Sequence, residues 1–221
     1  MAQIAEELLL LLLDNASAQP GLDRARRERV LTAAVLLDLA LACRIRPAVA
    51  NEPVETGRLV ALVGPDPHDP VVEPALQLLL HRPISPAAAI AKLRRDTQAN
   101  VLGQLERTGQ VRRVRLRTRG FRRHYAWPLM DRARVTQARA ALLSALFDLH
   151  CPAPTTAAII SLLHAVDGLG ALLSLNDRGW HWVHARAGEI ASGSWVDESE
   201  TQLADVNLAV TTAAVRKALM Y

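Results

Sequence analysis

The hydrophobic residues of this chain recur mainly at helical spacing. Residues 3–13 (QIAEELLLLLL) begin with polar side chains and become apolar on every side, which predicts a short helix that is buried all round. Residues 22–45 continue with a basic opening and then an almost wholly apolar stretch, VLTAAVLLDLALACRI. A long helix of that kind belongs at the centre of a helical bundle. Asp38 is a lone acid in this helix, with no partner acid at helical spacing, so we predict a satisfied core or boundary carboxylate rather than a catalytic one.

Proline and glycine divide the rest of the chain into shorter elements. Residues 59–63 predict a short strand that leads into a proline-aspartate turn. Ser85 followed by Pro86 predicts a helix start, because serine caps helix N-termini and proline suits the first helical position. That helix is expected to run into a second one that closes at Gly109, with a break near Asp96. The remaining predicted helices span residues 71–80, 132–149, 155–175 (in two parts around Gly168 and Gly170) and 203–220.

Residues 111–127 predict a β-hairpin, because the polar and apolar positions alternate there. Val114 and Leu116 fall on one side of an extended strand, and the intervening arginines fall on the other. A turn is expected around Gly120, since glycine accepts the positive φ that a tight turn needs. The return strand is expected to place three aromatic residues on the same side: Phe121, Tyr125 and Trp127. Pro128 is expected to end the pairing.

The composition favours helices. Half of the 221 residues are hydrophobic but only 4% are aromatic, so alanine and leucine fill most of the core. The length suits one domain with a substantial core. We therefore predict a mainly α, single-domain helical bundle (residues 1–221) around a long apolar central helix, with a peripheral arginine-rich β-hairpin.

The sequence also bears on the compartment. No uninterrupted stretch approaches the ~20 apolar residues needed to span a bilayer, and Glu6 and Glu7 lie where a signal peptide would be basic. Cys43 and Cys151 are far apart and lie beside apolar sequence, which favours two buried reduced thiols over a disulfide framework. These features favour a cytoplasmic protein for which any membrane contact is peripheral.

Arginine dominates the middle of the chain. Ten arginines lie from Arg94 to Arg123, against only Asp96 and Glu106. One explanation is a solvated hairpin with an arginine-rich outer face. The other is a surface that binds a polyanion, either a layer of lipid headgroups or the phosphates of a nucleic acid. Arginine suits both polyanions because its planar fork can hold a phosphate through two parallel hydrogen bonds.

Catalytic motifs are missing from the sequence. It contains no glycine-rich phosphate loop, no nucleophile elbow, no paired carboxylates on one helix face and no HExxH motif. His181 and His184 have the spacing of a metal-ligand pair, but no third ligand lies nearby in the sequence, so we expect a structural role for both. We predict a protein that is not an enzyme and that has no catalytic residue, metal ligand or cofactor.

Five phrases occur in a characteristic order and spacing: IAEELLLLLLD, LLDLALACRI, LVALVGPDPHDPVVEPAL, the Trp127-Pro128-Leu129 that closes the hairpin, and ISLLHAVDGL. Together they resemble the Golgi phosphoprotein 3 family, peripheral membrane proteins that recognise phosphatidylinositol 4-phosphate. The resemblance spans nearly the whole chain. It implies a mostly helical bundle, an anionic membrane lipid as partner, a homo-oligomer as a further expectation, and a place at the cytoplasmic face of a membrane.

The resemblance also implies a headgroup site. The family uses a tryptophan before the long helix, an arginine near the start of that helix, and two arginines three residues apart on the helix before the hairpin. In this sequence these positions fall at Asp23, Thr32, Arg95 and Gln98, so only Arg95 matches. Other arginines lie beside the substituted positions and predict a shifted site. The candidate headgroup residues are Arg95, Arg94, Arg27 and Arg29.

In the family the tip of the hairpin is apolar and meets the bilayer, and here the tip is rich in arginine. An aromatic ring flanked by arginines suits a membrane interface, because the ring enters the headgroup layer while the cations neutralise lipid phosphates. The candidate membrane-contact residues are Arg117, Arg119, Phe121, Arg122 and Arg123.

Two other functions compete with membrane binding. Helix 98–108 followed by the arginine-rich hairpin is similar to a winged-helix DNA-binding module, in which the wing arginines contact phosphate and the helix enters the major groove. The obvious base-reading side chains on that helix are Gln98, Asn100 and Gln104. The other alternative is a scaffold or adaptor whose basic face binds an acidic protein partner.

Overall fold

A computed structural model of the chain describes residues 2–65, 67–116, 124–193, 195–196 and 202–220. Over these ranges the protein is mainly helical, as predicted, with two small antiparallel sheets. The helices are α1 (Gln3–Leu13), α2 (Arg24–Leu41), α3 (Glu73–His81), α4 (Pro86–Arg107), α5 (Ala133–Phe147), α6 (Pro154–Ala165), α7 (Asp177–Ala191) and α8 (Leu203–Leu219), with a 3-10 turn at Leu169–Ala171. The strands are β1 (Ile45–Pro47), β2 (Leu59–Ala61), β3 (Val114–Leu116) and β4 (His124–Ala126).

Helix α1 is buried all round, as its apolar pattern predicts. Its N-cap residue, Ala2, has no side chain that could cap the helix. The carboxylate of Asp38 on α2 takes that role, accepting hydrogen bonds from the amides of Ile4 at 2.8 Å and Ala5 at 3.0 Å. Asp38 is only 4% exposed, and burial raises its pKa to about 8 in spite of the two amide donors. The prediction of a satisfied core carboxylate is confirmed.

The predicted long apolar central helix is not supported in that form. Helix α2 opens with a charged turn, is buried only from Val30 to Ala40, and ends at Leu41 rather than at Ile45. The side chain of Asn207 on α8 donates to the carbonyl oxygens of Ala40 at 2.7 Å and Ile45 at 2.8 Å. Cys43 lies between Ala40 and Ile45 in the sequence and adopts a positive φ of 51°. That conformation turns the chain out of the helix and into β1.

The predicted hairpin is confirmed at its base. Strands β3 and β4 pair antiparallel, with Arg115 opposite Tyr125. Val114 and Leu116 are half-buried and Arg115 is exposed, as the alternation predicts. The predicted turn at residues 118–120 lies outside the described residues.

Pairing at the base of the hairpin continues past Pro128, so the prediction that Pro128 ends it is wrong. Val111 forms a further antiparallel bridge with Leu129. The amide of Arg112 donates to the carbonyl oxygen of Pro128 at 3.1 Å. Proline lacks an amide hydrogen but keeps its carbonyl acceptor, so it interrupts only half of the ladder.

Helix α4 is one continuous helix, and the predicted break near Asp96 is wrong. Its start is confirmed, because the hydroxyl of Ser85 accepts a hydrogen bond from the amide of Ala88 at 3.3 Å. Gly109, with a φ of 72°, follows its end. Next to Asp96, the hydroxyl of Thr97 lies 3.0 Å from that of Thr32, so this turn of α4 is joined to the buried face of α2.

The core cluster of apolar side chains includes residues of all eight helices and of β1 and β2. None of the helices in the described ranges is long and apolar enough to cross a membrane.

Cys43 is half-buried and Cys151 is exposed, so the prediction of two buried thiols is wrong for Cys151, which follows α5 in a surface connection.

Candidate functional site

A cleft lies beside the first turn of α2, and the helix start fixes its shape. Asp23 is the N-cap residue of α2, and its carboxylate accepts a hydrogen bond from the amide of Arg26 at 3.0 Å. The same carboxylate pairs with the Arg26 side chain, and the hydrogen bonds from Arg26 lower the pKa of Asp23 to about 2. Arg24 and Arg27 are three residues apart, so both side chains lie on one side of this turn and line the cleft.

Arg27 is held in place by neutral acceptors. Its Nε donates to Oε1 of Gln98 on α4 at 2.8 Å, and its Nη1 donates to the carbonyl oxygen of Leu22 at 2.8 Å. Burial lowers the pKa of this guanidinium, although an arginine stays charged at every physiological pH. A half-buried cation that is oriented by neutral oxygens keeps most of its attraction for an anion.

Helix α4 forms the opposite wall. Arg95, Gln98, Leu102 and Glu106 recur at helical spacing and line the cleft together with Gly103. A Cβ atom added to Gly103 would meet no atom within 4 Å. Glycine costs about 1 kcal/mol relative to alanine inside a helix. The absence of a side chain at position 103 leaves space in the cleft beside α4.

The base of the hairpin closes the third side with Arg113 and Trp127. The guanidinium of Arg113 lies over the ring of Tyr125, 4.7 Å from its centroid, which orients a cation that is otherwise exposed. Trp127 is half-buried, and its amide donates to the carbonyl oxygen of Ala18 at 2.7 Å. The space enclosed by the three walls is about 480 Å³, within the range of small-molecule sites.

We call this space the arginine cleft, and its lining is basic. Four arginines (Arg24, Arg27, Arg95, Arg113) face two glutamates (Glu28, Glu106), which gives the lining a net charge of +2. Only one of these cations is neutralised within the described ranges, since Arg24 pairs with Glu28 at 2.6 Å. The other three arginines form no ion pair with a carboxylate of the described residues.

The structure brings together two of the four predicted headgroup residues. Arg27 and Arg95 face each other across the arginine cleft. Arg94 is half-buried and is not among the lining residues. Arg29 has another partner, because its Nη2 donates to the carbonyl oxygens of Ala218 at 3.4 Å and Leu219 at the end of α8. The five predicted membrane-contact residues, Arg117, Arg119, Phe121, Arg122 and Arg123, lie outside the described residues.

The candidate headgroup residues predicted from the sequence did not include Arg24, Arg113 or Trp127, which also line the cleft. The spacing of Arg24 and Arg27 on one helix face was a usable signal. Nothing local to Trp127 indicated that it would lie against the start of α2, since that contact depends on the path of residues 14–22. In space Trp127 supplies an aromatic side chain to the cleft, whereas Asp23, at the position expected to be aromatic, caps a helix.

A comparison with protein-family models finds one that matches residues 4–206 and is described as Golgi phosphoprotein 3 (GPP34). The chain belongs to the Golgi phosphoprotein 3 family. The resemblance inferred from the sequence phrases is therefore confirmed. No curated protein matches the chain.

In this Golgi phosphoprotein 3 family member the DNA-reading alternative finds no support. Gln98 is engaged with Arg27, and the Oε1 atom of Gln104 is buried without a hydrogen-bond partner among the described residues. Helix α4 packs along α2 and buries Val101, Leu102 and Leu105 in the core. Two of the three predicted base-reading side chains are therefore already engaged or partly buried, whereas a recognition helix needs its polar side chains free to reach base edges.

Proposed function

We propose that this protein is a peripheral membrane protein whose arginine cleft binds an anionic phospholipid headgroup. By family resemblance the headgroup is similar to that of phosphatidylinositol 4-phosphate. One observation carries the proposal: Arg27, Arg95 and Arg113 converge on one cleft without a carboxylate partner in the described ranges. Three such cations repel one another, and a bound phosphate would remove that repulsion.

The chemistry of the lining suits a phosphorylated polyol. Guanidinium groups hold phosphate oxygens through paired, charge-assisted hydrogen bonds. Glu106 offers oxygen acceptors for hydroxyl groups, and Trp127 offers an apolar wall for a ring. Gly103 leaves room for the ligand to approach the backbone of α4.

Contact through the hairpin is the second part of the proposal and rests on the sequence. Each arginine near an anionic surface contributes about 1 kcal/mol, so Arg117, Arg119, Arg122 and Arg123 together contribute roughly 4 kcal/mol. That free energy alone corresponds to about millimolar affinity. Stable docking on the membrane therefore needs the headgroup cleft as well, or several copies of the chain in a homo-oligomer.

Vesicle flotation with matched arginine variants tests the cleft. Arg95→Gln and Arg94→Gln each remove one positive charge from adjacent positions of α4, but only Arg95 lines the cleft. We expect Arg95→Gln to weaken binding to phosphatidylcholine vesicles containing phosphatidylinositol 4-phosphate by about tenfold or more. Arg94→Gln is expected to bind like the wild type. Equal losses in the two variants would show a diffuse charge effect and would refute the cleft.

A second pair of variants tests the same cleft without changing the charge. Gly103→Ala is expected to raise the free energy of unfolding by about 1 kcal/mol. Gly103→Leu fills the cleft and is expected to abolish headgroup binding, while its helical circular dichroism stays unchanged. Retention of wild-type binding by Gly103→Leu would contradict the proposed position of the ligand.

The hairpin and the nucleic-acid alternative need separate measurements. Arg117→Glu combined with Arg119→Glu is expected to release the protein from acidic vesicles and to leave its circular dichroism unchanged. Unaltered vesicle binding would remove the hairpin from the mechanism. A salt-dependent shift with random duplex DNA, together with no response to acidic vesicles, would favour the nucleic-acid alternative.

A further inference from the structure

The side of helix α8 that points away from the core is apolar along almost its whole length. The opposite side is buried and comprises Leu208, Thr211, Thr212, Val215 and Leu219. The exposed positions alternate at spacings of three and four residues: Leu203, Val206, Val210, Ala213, Lys217 and Met220, the residue that follows the helix. Five of these six side chains are apolar, whereas the solvent side of an ordinary surface helix carries polar residues. We call these six residues the α8 face.

The large apolar side chains of the α8 face are strongly exposed. Leu203 is 78% exposed, Met220 64%, Val210 51% and Val206 42%. They are four of the eleven large apolar side chains that the described ranges leave exposed. Isolated apolar residues are normal on a protein surface, but a continuous row of them on one element indicates a contact surface. The family match ends at residue 206, so most of this row lies outside the residues that it covers.

An apolar groove of about 300 Å³ lies beside the α8 face. Its α8 wall includes Val206, Val210 and Ala213, and its lining also includes Trp195, which is largely buried. No charged side chain is among the described residues that line it. A flat row of side chains buries little area by itself. A row beside a groove can also accept side chains from an opposing helix.

The two ends of α8 carry opposite charges. Asp205 lies in the first turn of the helix and Lys217 in the last turn, and neither forms an ion pair within the described part of the chain. An antiparallel pair of α8 helices with Val210 opposite Ala213 of the partner copy would place Lys217 opposite Val206, next to Asp205 of that copy. Antiparallel packing also sets the positive N-terminus of each helix beside the negative C-terminus of the other. A parallel pair would bring like charges together.

We propose that the α8 face is a self-association surface that pairs, antiparallel, with the same face of a second copy of this chain. Leu203 of each copy meets Met220 of the other, and Lys217 pairs with Asp205. The side chains in the middle of the row interdigitate and enter the two grooves, since spacings of three and four residues suit side-by-side packing of two helices. Because the same patch is used by both copies, the assembly closes as a two-fold dimer.

Other occupants fit the α8 face less well. Helices that lie in a headgroup layer have a broad apolar side with aromatic residues and several flanking lysines or arginines. The α8 face is a narrow row without an aromatic residue and with one lysine. An unlike protein would need a matching apolar row with the charges reversed along it, whereas a second copy supplies both. The inference does not rest on the function proposed for the arginine cleft, although a dimer would carry two such clefts and bind one surface with higher avidity.

Sedimentation velocity of the full chain tests self-association directly. Helix α8 has 17 residues and is therefore about 26 Å long, so a pair of these helices buries less than the roughly 1,600 Å² of a standard interface. We expect a reversible dimer with a dissociation constant on the order of 10 μM. A chain that stays monomeric up to about 300 μM would overturn the proposal.

Matched valine variants locate the surface. Val210→Lys places two like charges in the middle of the paired rows and is expected to raise the dissociation constant of the dimer at least about tenfold. Val49→Lys is the control, because Val49 is similarly exposed, at 55%, and lies in a connection outside the helices. It is expected to dimerise like the wild type. Circular dichroism is expected to be unchanged in both variants. Equal dissociation constants for the two variants would overturn the proposal.

A charge exchange tests the antiparallel arrangement. Lys217→Glu or Asp205→Lys alone sets like charges side by side at both ends of the dimer, and each is expected to weaken dimerisation about tenfold. The two changes together are expected to restore most of the wild-type affinity. In a parallel pair each reversal would only replace one like pair by another. Failure of the double variant to recover would therefore overturn the antiparallel pairing.

Two further outcomes separate this surface from the arginine cleft and from a membrane contact. Arg95→Gln is expected to leave sedimentation unchanged, so loss of headgroup binding in that variant is independent of the α8 face. A monomeric wild type whose flotation with acidic vesicles is lost in Val210→Lys would assign the face to the membrane and overturn the proposal. A dimer that is unaffected by Val210→Lys would place self-association elsewhere and would overturn it as well.

Discussion

Replacing Asp38 by asparagine would test how a buried carboxylate from one helix caps another. The two oxygens of Asp38 accept hydrogen bonds from the first turn of α1. Asparagine has one acceptor oxygen and an NH₂ group, so one of those amides loses its partner. An unsatisfied buried amide costs about 1–3 kcal/mol at any pH. A second effect depends on pH, because burial raises the pKa of Asp38 to about 8 in the folded protein, from 3.8.

The direction of the pH effect follows from the raised pKa. The folded state favours the protonated carboxyl group, so its contribution to stability is fully present below pH 3.8 and is lost as the pH rises through about 8. Between those limits the free energy of unfolding of the wild type falls by about 1.4 kcal/mol per pH unit relative to Asp38→Asn. From pH 5 to pH 7 the relative loss is roughly 3 kcal/mol, a large part of the stability of an ordinary domain.

Urea unfolding followed by circular dichroism at several pH values between 5 and 8 measures this difference. The difference between wild type and variant isolates Asp38, since every other titrating group is common to both proteins. Asp23→Asn is the control. The pKa of Asp23 is lowered to about 2, so its contribution is present above pH 3.8 and is lost only as the pH falls toward 2. Its difference from wild type is expected to be flat from pH 5 to 8. A flat difference for Asp38→Asn would show that capping outweighs burial and would refute the reasoning.

Three further variants address the ion pairs, helix ends and buried polar groups of the helical core. Arg29→Ala is expected to cost about 1 kcal/mol of unfolding free energy, because it removes a cation from the C-terminus of α8, and to leave headgroup binding in the vesicle assay unchanged. Arg134→Met is expected to cost about 3 kcal/mol, because Glu6 is 5% exposed and its carboxylate loses a partner at 2.5 Å; adding Glu6→Gln is expected to restore most of that loss in urea unfolding. Thr211→Val is expected to raise the midpoint of urea unfolding by an amount equivalent to about 1 kcal/mol, because the Thr211 hydroxyl is buried without a hydrogen-bond partner in the described ranges.

Local patterns predicted the elements whose boundaries are set locally. Helix α1 runs from Gln3 to Leu13 as predicted, since its apolar residues leave no polar face. The cap at Ser85 and the glycine after α4 were also readable from the sequence. The end of α2 was not, because Asn207 lies 167 residues from Ala40 and engages the last carbonyls of that helix only in the folded chain. Helix propensity cannot register a partner at that distance in the sequence.

The residues of the candidate site likewise divide into those whose role is visible in the sequence and those whose role depends on the folded chain. Arg27 was predicted because arginine density is visible in a sequence, and Arg95 because it matches a headgroup position that the family resemblance implies. Arg29 was included for the same reason as Arg27, although the structure uses it to satisfy the end of α8. An arginine on a basic stretch can bind a ligand or cap a helix, and only the neighbouring carbonyl groups decide between these roles.

The position of each cation bears on selectivity. At the position where the family is expected to carry an arginine, Thr32 is fully buried, and its hydroxyl faces Thr97 on α4. A long charged side chain at that point would open the α2–α4 packing. Arg27 reaches α4 from nearer the helix start instead, through Gln98. Attraction for phosphate depends mainly on charge density and tolerates such a shift, whereas discrimination between headgroup isomers depends on where each donor lies. We therefore expect the arginine cleft to bind several phosphoinositide monophosphates with similar affinity, and a strong preference for one isomer would contradict this argument.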